Sequence, residues 1–294
     1  APDAAGLSYP ELSPDGQRVA LSRGIGGTRD IWLTDSDRSS RFTVDPADDF
    51  GAVWSPDGSR VVFMSTRKGP LDLYVKPADG SGPELVLLAS ADAKFPNSWS
   101  PDGRFLLYRS KLIGGDLMVL PMLPERNGKP YPFLGTPFNE GNGVFSPDGK
   151  WVAYQSNESG RNEVYVRPFP GPGGVWQISA GGGAYPRWRA DGKELYYVAP
   201  GGKLMAAAIT AQAGSITSGQ PVALFTASFP RSITRPQYDV ARAGRFLVNL
   251  ELTDPTTPPI TLLQNWKPPK SDPREYRGLR RGQGGLEKGN CNAW

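Results

Sequence analysis

Trp54-Ser55-Pro56-Asp57-Gly58-Ser59-Arg60-Val61-Val62-Phe63-Met64-Ser65 is the stretch on which the fold turns. Pro56 presets φ for a turn, Asp57 can accept from its own backbone, and Gly58 tolerates the positive φ that ends a tight hairpin connection. An apolar residue stands before the turn and a strand-forming run from Arg60 to Ser65 follows it, so the segment reads as two strands joined by a hairpin. The same tetrapeptide occurs at Ser13 to Gly16, Ser100 to Gly103 and Ser146 to Gly149, with altered copies at Arg189 to Gly192 and Ala241 to Gly244.

These six copies are spaced by 42, 45, 46, 43 and 52 residues, close to the roughly 40–45 of a unit that forms one four-stranded propeller blade. The position before each turn is Leu12, Trp54, Trp99, Phe145, Trp188 or Val240, and its recurrence marks packing between units rather than a sugar-stacking stripe. An acid at Asp30, Asp72, Asp116 and Glu163, 16 or 17 residues after the motif serine, opens a third strand. Fourth strands are expected at 41–44, 84–87, 175–178 and 222–225, while the sixth unit ends at 260–266 without one. A closed ring leaves no free edge, so either residues 1–8 or the C-terminal tail is expected to complete that unit. The chain therefore reads as all-β, a six-bladed β-propeller of four-stranded blades spanning 1–266, with a basic, Gly-rich tail over 267–294 expected to be disordered.

Composition agrees, with 36 Gly, 30 Pro, eight Trp, 11 Tyr, 12 Phe and no His, a balance that suits many short strands and turns. The net charge of +4 resides in residues 267–294, which hold seven Lys or Arg against three acids; residues 1–266 balance at 26 against 26. A neutral body lacks the basic face that nucleic-acid backbones require. Cys291 is the single cysteine, so no intramolecular disulfide forms. No apolar run reaches the roughly 20 residues of a membrane span. A start at Ala1 fits removal of a signal peptide and fits a cut segment equally well; an extracytoplasmic or periplasmic, monomeric module is the expectation.

The repeat, an apolar residue, Ser-Pro-Asp-Gly, a basic residue, a strand, then an acid and a strand, resembles the TolB-type propeller across residues 1–266. Two stretches, Gln155-Ser-Asn-Glu-Ser-Gly-Arg-Asn-Glu-Val-Tyr-Val-Arg-Pro-Phe-Pro170 and Ile260-Thr-Leu-Leu-Gln-Asn-Trp266, are similar to C-terminal sensor propellers of bacterial serine/threonine kinase-like proteins. That resemblance implies a ligand-sensing or protein-binding role. It brings no kinase chemistry, because a Gly-rich loop with Val-Ala-Ile-Lys is lacking and a His-Arg-Asp loop is impossible without histidine.

The lack of histidine also removes the Ser-His-Asp triad and His-based zinc sites, and it argues against the manganese-dependent lyases of similar fold, which use His ligands. No Gly-x-Ser-x-Gly elbow is present, and Cys291 has no His partner to activate it. Oxygen-ligand chemistry remains, since Ca²⁺ takes carboxylates, amide oxygens and water; propeller lactonases and phosphotriesterases work through such a central site. The segments entering the inner strands gather at one mouth of the axis and carry Tyr9, Glu11, Asp49, Phe50, Phe95, Asn97, Phe138, Glu140, Asn142, Tyr185, Arg187, Tyr238 and Asp239. Glu11, Asp49, Glu140, Asn142 and Asp239 are the candidate Ca²⁺ ligands, against the plainer reading of solvated or turn-capping loop acids. The aromatic members would form a rim suited to a small, partly apolar ligand. Asp15, Asp57, Asp102, Asp148 and Asp191 sit inside turns and carry no catalytic expectation.

Two functions follow. One is a recognition module binding a protein or small molecule at the channel mouth through Tyr9, Glu11, Asp49, Phe50, Asn97, Glu140, Asn142, Tyr185, Arg187 and Tyr238. The other is a Ca²⁺-dependent lactone or ester hydrolase, the metal polarising a carbonyl and activating water.

Overall fold

The computed structural model describes residues 6–25, 27–122, 128–212, 214–230, 235–250 and 260–262. Among them every regular element is a strand; no helix occurs, and so none is long and apolar enough to cross a membrane. The strands form six antiparallel sheets. The first contains Leu7–Leu12, Val19–Ile25, Thr28–Thr34 and Ser39–Arg41 (β1–β4), the second Asp49–Trp54, Arg60–Ser65, Asp72–Pro77 and Leu85–Leu88 (β5–β8). The third contains Lys94–Trp99, Phe105–Ser110, Leu117–Pro121 and Tyr131–Leu134 (β9–β12), the fourth Glu140–Phe145, Trp151–Ser156, Glu163–Pro168 and Trp176–Gln177 (β13–β16). The fifth holds Ala184–Trp188, Glu194–Ala199, Lys203–Gln212, Ser215–Ser218 and Val222–Thr226 (β17–β21), the sixth Tyr238–Val240, Phe246–Asn249 and Ile260–Leu262 (β22–β24).

The tetrapeptide turns join the first two strands of each sheet, and the structure gives the motif serine its role. Ser55 Oγ donates to Asp57 Oδ1 at 2.5 Å and accepts the Arg60 N–H at 2.9 Å, while its carbonyl accepts the Gly58 N–H. Serines 13, 100 and 146 repeat this clasp. Arg189 and Ala241 cannot make it, yet their turns keep the backbone bond to Gly192 and Gly244. Gly58 adopts φ 70°, and a Cβ there would meet nothing nearer than Pro14 Cδ at 3.7 Å. Gly58→Val is therefore expected to cost strain alone, about 1–2 kcal/mol in urea unfolding, with Gly58→Asn costing less because Asn tolerates this region. Equal stability of Gly58→Val and parent would contradict the turn geometry.

The core lies between successive sheets. Ala20 and Ile31 of the first pack on Trp54, Val61 and Phe63 of the second, and Trp151 and Val164 of the fourth pack on Trp188 and Leu195 of the fifth. Trp54 and Trp188 also donate their indole N–H groups to Glu11 O and Val144 O of the preceding sheet, each at 3.2 Å, which confirms a packing role for the tryptophan positions. Three of the regularly spaced acids tether the fourth strand of their sheet or the segment leaving it. Asp72 accepts from Lys94 Nζ at 2.7 Å and from the Ser90 N–H, Glu163 from the Ser179 hydroxyl and the Gly182 N–H, and Asp30 from Arg41.

Fourth strands depart from expectation in detail. The first is Ser39–Arg41 rather than 41–44, and the third unit has one at Tyr131–Leu134 that the pattern did not reveal. The long fifth interval is an insertion: β19 pairs β21 through its first half and the extra strand β20 through its second. Leu7 and Ser8 extend β1, whereas residues 1–5 and 263–294, including the predicted tail and Cys291, lie outside the described residues. Inner strands β1, β5, β9, β13, β17 and β22 touch in that order, and β22 and β23 return to β1.

Candidate functional site at the ring axis

Inner strands β1, β5, β9, β13 and β17 each carry an irregularity, whereas β22 pairs in regular register. The register of β1, β5, β13 and β17 shifts at Ser8/Glu11, Phe50/Val53, Gly141/Val144 and Ala184/Arg187, and the bulged residue has positive φ: Tyr9 58°, Gly51 67°, Asn142 50° and Tyr185 59°. Three of the four are not glycine, and such backbone costs on the order of 1–3 kcal/mol each unless the surroundings impose it. Neighbouring sheets do so. The Tyr9 N–H donates to Gln237 Oε1, the Gly51 N–H to Ser22 Oγ and the Tyr185 N–H to Gln155 Oε1.

The bulges re-aim side chains so that sheets five, six and one share a buried ionic cluster. Arg187 donates from Nε to Asp239 Oδ1 at 3.2 Å and from Nη2 to Glu11 Oε2 at 3.0 Å. Asp239 Oδ2 accepts the Leu12 N–H at 2.7 Å, and Tyr238 donates to Tyr185 O. Arg235 completes the cluster from across the axis. Its Nη1 donates to Gly51 O at 2.7 Å and Pro96 O at 2.9 Å, and its Nη2 to Ala52 O at 2.9 Å, with Glu11 Oε2 at 3.5 Å. One side chain thus ties the entry to the sixth sheet to the first, second and third. Two guanidinium groups stand where a cation bound by Glu11 and Asp239 would stand, so those two carboxylates do not fit a Ca²⁺ site in this arrangement.

Burial dominates the electrostatics. It pushes the Glu11 carboxyl up to about 7 against the opposing pull of Arg187, it lowers the Arg235 guanidinium and it raises the Tyr238 hydroxyl. Burial also works against the charge of Arg187, but Glu11 and Asp239 hold it above its ordinary value. For Glu11 the folded carboxyl keeps a proton that the unfolded chain, near 4.5, has lost. Stability should therefore fall as pH rises from about 4.5 to about 7 and level off above. Glu11→Gln, which cannot ionise, should match the parent near pH 5 and exceed it increasingly toward pH 7.5 in thermal melts; a constant difference across that range would refute the assignment.

The other predicted residues are dispersed. Asp49 is buried against Arg67, with Nη2 at 2.8 Å, and Arg67 also reaches Glu84; burial raises the Asp49 carboxyl. Glu140 accepts from the Thr136 hydroxyl through one oxygen, and burial raises it. Its Oε2, both amide atoms of Asn142, and Asn97 Oδ1 are buried without hydrogen-bond partners among the described residues. Among the described residues no three Asp, Glu, His or Cys side chains gather. Phe50, Phe95 and Tyr238 are buried in the layers between sheets, Phe50 beneath the Arg29 guanidinium at 3.8 Å, so the exposed rim expected of them does not form. Tyr9 and Tyr185 pack at the edges of those layers.

What the mouth does expose is Leu112, Ile113 and Phe138, the middle one 82 % exposed. They sit on two adjoining loops braced by Asn139, whose Oδ1 accepts from the Gly114 N–H and from Arg109 Nη2, while Arg109 also reaches Leu112 O. Sequence reasoning named Phe138 as a rim aromatic but missed Arg235, Arg109, Leu112 and Ile113, because an isolated arginine or an apolar loop tip has no periodicity; the aligned position of Arg235 just before an inner strand was the available signal. A cleft of ≈ 690 Å³ between the first and sixth sheets is lined by Leu7, Leu12, Leu21 and Phe246, and none of the predicted site residues lines it.

Residues 4–128 match the family model described as the TolB beta propeller domain. Over 77 residues the chain is 38% identical to the Tol-Pal system protein TolB of Anaeromyxobacter dehalogenans (strain 2CP-C), covering 26% of this chain but 18% of that protein. Over 194 residues it is 23% identical to the uncharacterized peptidase YuxL of Bacillus subtilis, covering 51% of this chain and 29% of that protein. The chain thus spans less than a third of either relative's length. Among solved structures it is similar to TolB from Acinetobacter baumannii, with TM-score 0.58, 19% identity, and 85% of this chain and 59% of that chain covered. It is similar also to an oligogalacturonate lyase in complex with manganese, with TM-score 0.57, 13% identity, and 84% and 71% covered. At these identities the structures establish a TolB-type propeller fold and nothing about activity.

Proposed function

We propose that the six sheets are the blades of one six-bladed propeller over residues 1–266, and that this propeller is a recognition module whose mouth face docks a protein. The observation that carries this reading is the Leu112, Ile113 and Phe138 patch. Large apolar side chains are left in water on loops that buried Arg109 and half-buried Asn139 hold in place, and a pre-ordered apolar cluster loses little entropy on binding. The TolB relatives are by name parts of a Tol-Pal system, which supports a protein partner, as does the resemblance of residues 155–170 to kinase-linked sensor propellers. The clustered carboxylates Glu11 and Asp239 are already committed to arginines, so they serve the ring's architecture. The test is photo-crosslinking in the native cells with benzoylphenylalanine at position 113 or 138, against position 86 on an outer strand. A partner captured at 113 and 138 but not 86, and lost from the purified complex with Phe138→Asp, is expected; no capture at either mouth position overturns the reading.

A second reading, a Ca²⁺-dependent hydrolase of lactones or esters, draws support from the unpaired buried oxygens of Glu140 and Asn142, the donor type that Ca²⁺ takes. It requires calcium to raise the melting temperature by mass action and chelator to reverse it, with Glu140→Gln and Asn142→Ala weakening both calcium binding and ester hydrolysis. Absence of any calcium effect on melting removes it.

A further inference from the structure

The four acceptors around Arg235 form a cradle with a shape of its own. Gly51 O, Ala52 O and Pro96 O lie within 2.7–2.9 Å of its two terminal nitrogens, and Glu11 supplies the counter-charge. The cradle is preformed, since these acceptors belong to strands β1, β5 and β9. Its occupant is not built in the same way: Arg235 lies in the connection between β21 and β22, outside any strand. Gly51 keeps the space open, because a Cβ there would lie 3.2 Å from both Cδ and Nη1 of Arg235.

We propose that this cradle is a recognition site for the guanidinium group of a partner's arginine side chain, held by the chain's own Arg235 until the partner displaces it. The fork geometry matches a guanidinium, which presents five N–H donors in a plane, better than it matches an ammonium. Arg235, tethered to the same chain, competes as an intramolecular ligand, so a free guanidinium enters the site only in large excess, whereas a partner also anchored on the mouth face enters at low concentration. The displacement rests on the recognition reading above; the cradle's chemistry does not.

The probe is propylguanidinium chloride, with propylurea as a neutral control of the same shape, added to the full chain and to its Arg235→Ala and Arg235→Met variants. At about ten times its Kd, propylguanidinium should raise the melting temperature of Arg235→Ala by about 3 °C, and propylurea should not. Calorimetric affinity should be at least about tenfold tighter than for the parent, whose cradle is filled, and Glu11→Gln added to Arg235→Ala should reduce it. Arg235→Met restores the lost packing and gives the same comparison if the alanine variant does not fold. In the parent, titration with N-acetylarginine methylamide should perturb the Arg235 Nε–H resonance, a measurement that needs no variant. A folded Arg235 variant with no guanidinium-specific rise, affinity equal to the parent's, or an unperturbed Arg235 resonance at saturation overturns the proposal. These experiments involve no protein partner, so their failure leaves the mouth-docking reading to its own test.

Discussion

Arg187→Met is expected to destabilise the protein by about 3–5 kcal/mol, the cost of leaving buried charges without their partner. Arg187 bonds both Glu11 and Asp239, at 3.0 and 3.2 Å, and its side chain is 9% exposed. Without it Glu11 retains the longer contact to Arg235 at 3.5 Å, and Asp239 retains backbone N–H donors. Arg187→Lys should recover little, since a single ammonium cannot serve two carboxylates in the planar geometry of the guanidinium. Combining Arg187→Met with Glu11→Gln and Asp239→Asn should cost less than Arg187→Met alone, because the orphaned charges go with it. The measurement is chemical denaturation at pH 7.5. A cost below about 1 kcal/mol for Arg187→Met, the range of exposed ion pairs, would show that the cluster does not hold the fifth, sixth and first sheets together.

Gly51→Val is the second large effect, and it acts through three terms that the structure separates. The residue adopts φ 67°, a region that a β-branched side chain avoids. Its Cβ would stand 2.3 Å from Met64 Cε, and it would crowd Arg235, which bonds the Gly51 carbonyl. Strain of order 1–3 kcal/mol and overpacking of similar size give an expected loss of about 3–5 kcal/mol. Gly51→Ala should lose less, because Met64 Cε is the flexible end of its side chain and can move. Met64→Ala in the Gly51→Val background should restore the packing part only. The comparison with Gly58→Val is informative, for the two glycines share nearly the same φ and differ in what surrounds them. If both variants lose the same stability, the close packing at the axis contributes nothing.

The architecture was legible because it is written six times. A turn of Pro, Asp and Gly is specified by three neighbouring residues, and the spacing of Ser13, Ser55, Ser100 and Ser146 counts the units without reference to any contact across the chain. The tryptophan positions and the acids Asp30, Asp72 and Glu163 were legible for the same reason, since a recurring residue in a recurring unit has a recurring neighbour. The mouth residues do not repeat: at the position two before each turn the chain has Glu11, Val53, Ser98, Val144, Arg187 and Asp239. Sequence placed the acids at the axis, but whether Glu11 meets a metal, a solvent channel or an arginine depends on residues 176 and 224 positions away. Only the closed ring decides that. It brings Glu11, Asp239, Arg187 and Arg235 within ionic reach, whereas Asp49 meets Arg67 within its own sheet, because buried charge must find its counter-charge among whatever side chains the fold makes adjacent.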